Sequence, residues 1–176
     1  VETGDAPTVL GAAADWKGPA DGSFAFATGH DDEHFVLDVR VRDERIEAGD
    51  AVEFFIDPRP ARARHDDPRL RRSTLRVVAN APAADGRSLV EGFLNHRPLA
   101  GCSATGRRRA DGYDLRIEMP IRFFGNQANP SPPDFLLAGM LRDVDEPGAP
   151  AAEILWRGSP SIRERNDGYA VFAWSE

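Results

Sequence analysis

The sequence predicts an all-β fold, namely an antiparallel β-sandwich of jelly-roll type with roughly nine to eleven short strands. Three observations lead to this prediction. Apolar residues alternate with polar residues in most segments, turn-forming clusters separate these segments at fairly even spacing, and no segment has the periodicity of a long helix. This combination is typical of sandwiches and barrels.

The first predicted strands form a hairpin. Phe24 and Phe26 alternate with small residues, residues 35–41 alternate in the same way, and the Gly-His-Asp-Asp sequence at 29–32 is typical of a turn. A further strand at 51–57 alternates regularly and ends before a proline.

The middle of the chain continues with strands and turns. Residues 59–72 contain six arginines and few apolar side chains, which predicts a long exposed loop. The other predicted elements are strands at 74–80, 88–94, near 102–107 and at 113–119, followed by one helical turn at 121–124.

The last predicted strands lie at 135–143, 154–157 and 169–174. Residues 135–143 are almost entirely apolar, which is typical of a strand buried on both faces in the middle of a sheet.

Length and composition limit the possible functions. A chain of 176 residues fits one domain spanning 1–176, and its net charge of -7 argues against nucleic-acid binding. No apolar run approaches the roughly 20 residues of a membrane span. Cys102 is the only cysteine, which excludes an intrachain disulfide. Because the chain begins at Val1, we expect a processed protein or a piece of a longer one.

The sequence carries no recognisable catalytic motif. It lacks the nucleophile elbow Gly-x-Ser-x-Gly, a phosphate-binding glycine loop with lysine, and the His-Glu-x-x-His helix. Asp114 and Glu118 lie on one face of a predicted strand, where carboxylates are ordinarily solvated. We therefore predict that the chain is not an enzyme.

Five segments, taken in order, resemble the family 9 carbohydrate-binding modules and the wider DOMON-like β-sandwiches. They are residues 14–16, 35–43, 49–58, 112–120 and 142–158. The resemblance implies a sugar-binding sandwich, often with a structural calcium, attached to an extracytoplasmic enzyme. Such modules hold the sugar between two aromatic rings, and this sequence does not place both.

The C-terminal stretch offers the densest supply of aromatic and forked polar side chains, the groups that sugar recognition needs. The predicted ligand-binding residues are Trp156, Arg157, Arg163, Asn166 and Tyr169. Trp156 is open to two interpretations, a stacking platform or a core residue, whereas Trp16 and Trp174 are interpreted as structural.

Calcium prefers carboxylate and carbonyl oxygens. Asp143, Asp145 and Glu146 supply such ligands and are the predicted metal site, although Pro147 departs from an EF-hand loop. Two alternatives to sugar binding stay open. One is a structural or protein-interaction sandwich, and the other is a heme domain using Met119 or Met140 with His96.

Overall fold

The computed structural model describes residues 8–66, 74–94, 97–125, 134–166 and 168–173. Within these ranges the chain forms two antiparallel sheets, which confirms the predicted all-β sandwich. The strands are β1 Thr8–Gly11, β2 Gly22–His30, β3 His34–Asp43, β4 Ala51–Asp57, β5 Leu75–Asn80, β6 Val90–Leu94, β7 Arg97–Leu99, β8 Ser103–Arg109, β9 Gly112–Pro120, β10 Asp134–Asp143, β11 Ala152–Trp156 and β12 Ala170–Ala173. A short helix, α1, spans Ala61–Asp66, and one 3-10 turn spans Ile121–Phe123.

The two sheets differ in size. The large sheet has eight described strands in the order β1-β11-β10-β4-β5-β6-β7, with β12 paired to the first half of β10. The small sheet has four described strands in the order β2-β3-β9-β8. β10 pairs with β4 along one edge and with β12 and β11 along the other, which confirms the central buried position that its apolar sequence predicts.

The main core lies between the two sheets. Alternate residues of each strand face inward, because successive side chains point to opposite faces of a strand. Phe26 lies at the centre of an aromatic group, with its ring centroid 5.1 Å from that of Phe54 and 4.7 Å from that of Trp156, both edge-on. Edge-on aromatic pairs of this kind add to the stabilisation that burial itself supplies.

A second, smaller core lies on the outer face of the large sheet. Residues 157–166 and 168–169, which we call the covering loop, cross this face, and the side chains buried there are Phe55, Ala138, Met140, Leu155, Ile162 and Tyr169. The hydroxyl of Tyr169 donates a hydrogen bond of 2.5 Å to the carbonyl of Ile162, which fixes the C-terminal end of the loop to its middle. β4 is therefore buried on both faces.

Several elements differ from the prediction. β1 and β7 were not expected; β7 contains Pro98, and the sheet tolerates this proline because β7 is an edge strand. The predicted exposed loop at 59–72 contains α1, whose Arg64 is buried and donates a 2.6 Å hydrogen bond to Asp134. Residues 67–72 of that prediction, His96 of the heme alternative and Trp174 lie outside the described residues.

No helix in the described ranges has the length and apolar character needed to cross a membrane.

Candidate functional site

A polar groove of about 560 Å³ lies on the outer face of the large sheet, beside the covering loop. Its polar lining consists of Glu53, Arg76, Asn80, Glu91, Arg142, Glu153 and Arg163. Val78 and the exposed Leu89 supply apolar surface between these groups, and none of the described lining residues is aromatic. The groove therefore combines a narrow apolar floor with charged walls.

The strand registers explain why these side chains meet. Glu53 lies opposite Val78 of β5 and Met140 of β10, so its side chain points to the outer face between two apolar neighbours. Glu153 of β11 pairs with Arg142 of β10 in the adjoining row. Five described strands, β4, β5, β6, β10 and β11, thus bring charged groups to one surface.

Four of these side chains form a connected charge cluster. Glu53 is almost fully buried, and its carboxylate accepts hydrogen bonds from Arg76 Nε and, at 3.5 Å, from Arg163 Nη2. Arg163 also donates to both oxygens of Glu153, at 2.7 and 3.1 Å. The hydrogen bond from Arg163 lowers the pKa of Glu153, and that bond raises the pKa of Arg163. These hydrogen bonds therefore hold the four side chains in a fixed arrangement.

The structure brings only one of the predicted ligand-binding residues into this groove, and that residue is Arg163, which is 44% exposed. Asn166 and Tyr169 belong to the covering loop itself, and their side chains are buried. Asn166 donates a 2.8 Å hydrogen bond to the carboxylate of Asp57 and so fastens the loop to the sheet, whereas Tyr169 bonds to Ile162 within the loop. Arg157 is exposed at the start of the loop, with a positive φ of 60°.

Trp156 is placed in the main core, where 4% of its surface is exposed. The structure thus corresponds to the core interpretation of Trp156, because the ring packs edge-on against Phe26. The faces of Trp156 and Tyr169 are occupied by protein contacts, so neither ring is open for stacking here.

Sequence reasoning missed Glu53, Arg76 and Glu153. The available signal was Glu53 itself, a carboxylate inside an otherwise apolar strand and on the same face as Phe55. A buried charge needs a partner, so its position predicts a nearby cation even though the sequence does not say which one.

A cluster of three buried aspartates lies where β3 and β10 end and β4 begins. One oxygen from each of Asp43, Asp50 and Asp143 lies within 4.8 Å of the others. The backbone amides of Glu47 and Val144 donate to Asp50, at 2.6 and 2.9 Å. We call this group the buried triad.

The buried triad has the features of a cation site. Burial, followed by repulsion from neighbouring carboxylates, raises the pKa of Asp50 to about 8 and that of Asp143 to about 7. Within the described chain, Asp43 Oδ2 and the buried hydroxyl of Tyr113 have no hydrogen-bond partner. Gly22 leaves room for Asp143, because a side chain there would collide with the Asp143 carboxylate. Buried oxygens that lack donors are suitable ligands for a hard cation.

The structure places the predicted metal ligands Asp143, Asp145 and Glu146 in different surroundings, and the metal site itself stays a prediction. Asp143 belongs to the buried triad, whereas Asp145 lies with Asp21 and Glu44 in a second group of three. Glu146 is exposed and lines the cleft next to that second group.

Comparison with protein-family models and with curated proteins finds no match. Among solved structures, the chain is similar to a family 9 carbohydrate-binding module from Caldicellulosiruptor kristjanssonii, determined in complex with cellotriose and with glucose. Both structures give a TM-score of 0.62 at 13% identity over 86% of this chain, and over 74% and 76% of theirs. The chain has a family 9 module-like fold, which confirms the fold that the resemblance implies.

Proposed function

We propose that this chain is a non-catalytic carbohydrate-binding module that holds a glycan in the groove beside the covering loop. The observation that carries the proposal is the preorganised cluster of Glu53, Arg76, Glu153 and Arg163 on the outer face of the large sheet. The similar solved structures contain sugars, which supports the same ligand class for this fold.

The chemistry of the groove suits a sugar. Carboxylates accept from hydroxyl groups, and planar guanidinium groups donate in a fixed fork. Arg142 lines the groove and makes no hydrogen bond to a described residue, so its donors are available to a ligand. Val78 and the exposed Leu89 offer apolar surface for the C–H groups of a pyranose ring.

The predicted ligand-binding residues take distinct roles in this proposal. Arg163 contacts the sugar directly, whereas Asn166 and Tyr169 act as positioning residues that hold the covering loop. Arg157 lies at the exposed start of that loop, and Trp156 supports it from the core.

The decisive experiment measures glucose and cello-oligosaccharide binding by isothermal titration calorimetry. Arg163→Ala should weaken binding about tenfold or more, because charge-assisted hydrogen bonds are lost. Arg157→Ala removes the same charge from the same loop and serves as the matched control, with affinity expected to stay unchanged. Equal affinities for the wild type and Arg163→Ala would place the ligand elsewhere, and the absence of binding to any glycan would favour the alternative of a protein-interaction sandwich.

We further infer that the buried triad holds a calcium ion, with Asp43, Asp50 and Asp143 as its protein ligands. When bound, the ion would neutralise the carboxylates and join the ends of β3, β4 and β10. The supporting observation is the unsatisfied Asp43 Oδ2 in a buried position.

The setting of the module is part of the proposal. Residues 1–176 would act as one binding domain of a longer extracytoplasmic protein and bring an attached catalytic domain to its glycan. The sequence of the full gene product and the fractionation of the native protein test both points directly.

A further inference from the structure

The outer face of the small sheet carries an excess of arginines, none of which lines the glycan groove. Alternate residues of β3 and β8 point to this face, and the arginines among them are Arg40 and Arg42 on β3 and Arg107 and Arg109 on β8. We call these four side chains the arginine face. β9 lies between the two strands, and its Asp114 pairs in register with Arg40 on one side and Arg107 on the other. The strand order therefore brings the four guanidinium groups to one surface.

Asp114 orients this group. Its carboxylate accepts hydrogen bonds from Arg40 Nε at 3.4 Å and from Arg107 Nε at 3.0 Å. Arg109 Nη1 lies 3.0 Å from the same carboxylate, and Arg109 also donates a 2.9 Å hydrogen bond to the carbonyl of Val41. Arg40 and Arg107 use only Nε here, and their terminal Nη groups bond to no described residue. These two guanidinium groups are therefore oriented and can still donate to a ligand.

The carboxylates in contact with the arginine face do not balance its charge. Besides Asp114, only Asp111 forms an ion pair with one of these arginines in the part of the chain that the structure describes, at 3.4 Å from Arg109 Nε. Arg42 forms no ion pair with a described residue. The glycan groove, by contrast, is lined by three arginines and three glutamates. A chain of net charge -7 thus has a local excess of positive charge here, which favours an anionic occupant.

The shape and chemistry of this surface favour a short chain of sugars over a folded protein. A depression of about 590 Å³, lined by Ala25 and Thr105 as well as by Arg40, lies on the same face and has the size of a small-ligand site. The large hydrophobic side chains exposed within the described ranges, Leu89 and Val171, lie outside the small sheet. The apolar and aromatic centre that is typical of a protein interface is therefore missing from the described part of this face.

We propose that the arginine face binds an acidic glycan whose sugars carry carboxylate groups, as uronic acids do. The planar guanidinium fork matches a planar carboxylate, and these arginines already hold one carboxylate, that of Asp114. Uronate carboxylates accept hydrogen bonds from the terminal Nη groups of Arg40 and Arg107, while Ala25 and Thr105 contact the sugar ring. The choice of a glycan over an acidic peptide rests on the proposed function, but the site itself lies on the other sheet from the groove.

Isothermal titration calorimetry with trigalacturonate tests this site. Its methyl ester, which has the same sugar chain without the charges, is the matched ligand control and should bind at least about tenfold more weakly. Arg107→Gln and Arg40→Gln, at side chains that are 76% and 65% exposed, should each weaken trigalacturonate binding about fivefold, and the double variant should weaken it by more than about tenfold. Arg97→Gln removes the same charge from an exposed position on β7 and should leave the affinity unchanged.

The same variants separate this proposal from the glycan groove. The double variant, once its native circular dichroism is checked, should bind cello-oligosaccharides as the wild type does, and Arg163→Ala should keep its affinity for trigalacturonate. Loss of trigalacturonate binding in Arg163→Ala alone would place the acidic glycan in the groove and overturn the proposal. Equal affinities of the wild type and the double variant, or a triglutamate peptide that binds as tightly as trigalacturonate, would overturn it as well. Absent trigalacturonate binding beside intact cello-oligosaccharide binding would refute this inference and leave the groove in place.

Discussion

Trp156 fills space between the two sheets, and its contribution to stability follows from that position. Replacing it with alanine removes a large buried ring and leaves a cavity beside Phe26. We expect Trp156→Ala to lower the free energy of unfolding by about 3–5 kcal/mol, measured by urea denaturation. Val171→Ala, at a 65% exposed position, is the control and should change it by less than about 0.5 kcal/mol. A Trp156→Ala protein of wild-type stability would contradict the core assignment.

Only some residues of the groove and of the buried triad could be predicted from the sequence. Arg163 could be predicted as a binding residue because it lies in a segment rich in forked polar groups. Its carboxylate partners could not be predicted, because Glu53 lies 110 positions away in sequence and contacts Arg163 only in the folded chain. The same limit applies to Asp43 and Asp50, which Asp143 meets across strand ends.

At the scale of the element, the covering loop is attached to the large sheet through Asp57. Asn166→Ala removes the 2.8 Å hydrogen bond that ties the loop to this buried carboxylate. We expect a loss of about 1–3 kcal/mol in stability and faster amide hydrogen exchange in residues 157–169.

The same variant should weaken glycan binding, because Arg163 would no longer be held at the groove. Glu164→Ala, an exposed position in the same loop, provides the control and should change neither exchange nor affinity. Faster amide exchange in the loop together with unchanged glycan affinity would show that the loop does not position the binding site.

The strands that sequence patterns predicted well are those with the longest alternation. β3 and β9 pair over nine residues each, and their inward-facing positions match the apolar pattern. β1 and β7 are four and three residues long, too short for a periodic signal, and they are strands only because β11 and β6 offer a pairing edge. α1 was missed because arginines suggest solvent, whereas Arg64 pairs with Asp134.

The stability of the whole metal-free molecule should depend on pH through the buried triad. Folding raises the pKa of Asp50 from 3.8 to about 8 and that of Asp143 to about 7, so the folded state binds more protons than the unfolded chain at neutral pH. Stability contributed by the protonated groups is complete below about pH 4 and is lost as pH rises toward about 8.

Thermal unfolding in a chelator, followed from about pH 5 to about pH 9, measures this loss. Asp50→Asn should flatten the profile, while Asp38→Asn, at an exposed position, should not. Added calcium should raise the melting temperature most at the alkaline end, where the triad is ionised. Metal-free stability that increases with pH would contradict this account of the triad.

In the whole molecule, residues of the glycan groove are adjacent in sequence to residues of the buried triad. Arg142, in the groove, immediately precedes Asp143, in the triad, and Glu53 follows Asp50 by three residues along the start of β4. A bound ion and a bound sugar would therefore contact adjoining residues of β10 and of the start of β4. If bound calcium increases the affinity for the sugar, thermodynamic linkage requires that bound sugar increase the affinity for calcium by the same factor. In that case, protein bound to a glycan-rich surface would retain its calcium at calcium concentrations at which the unbound protein has lost it.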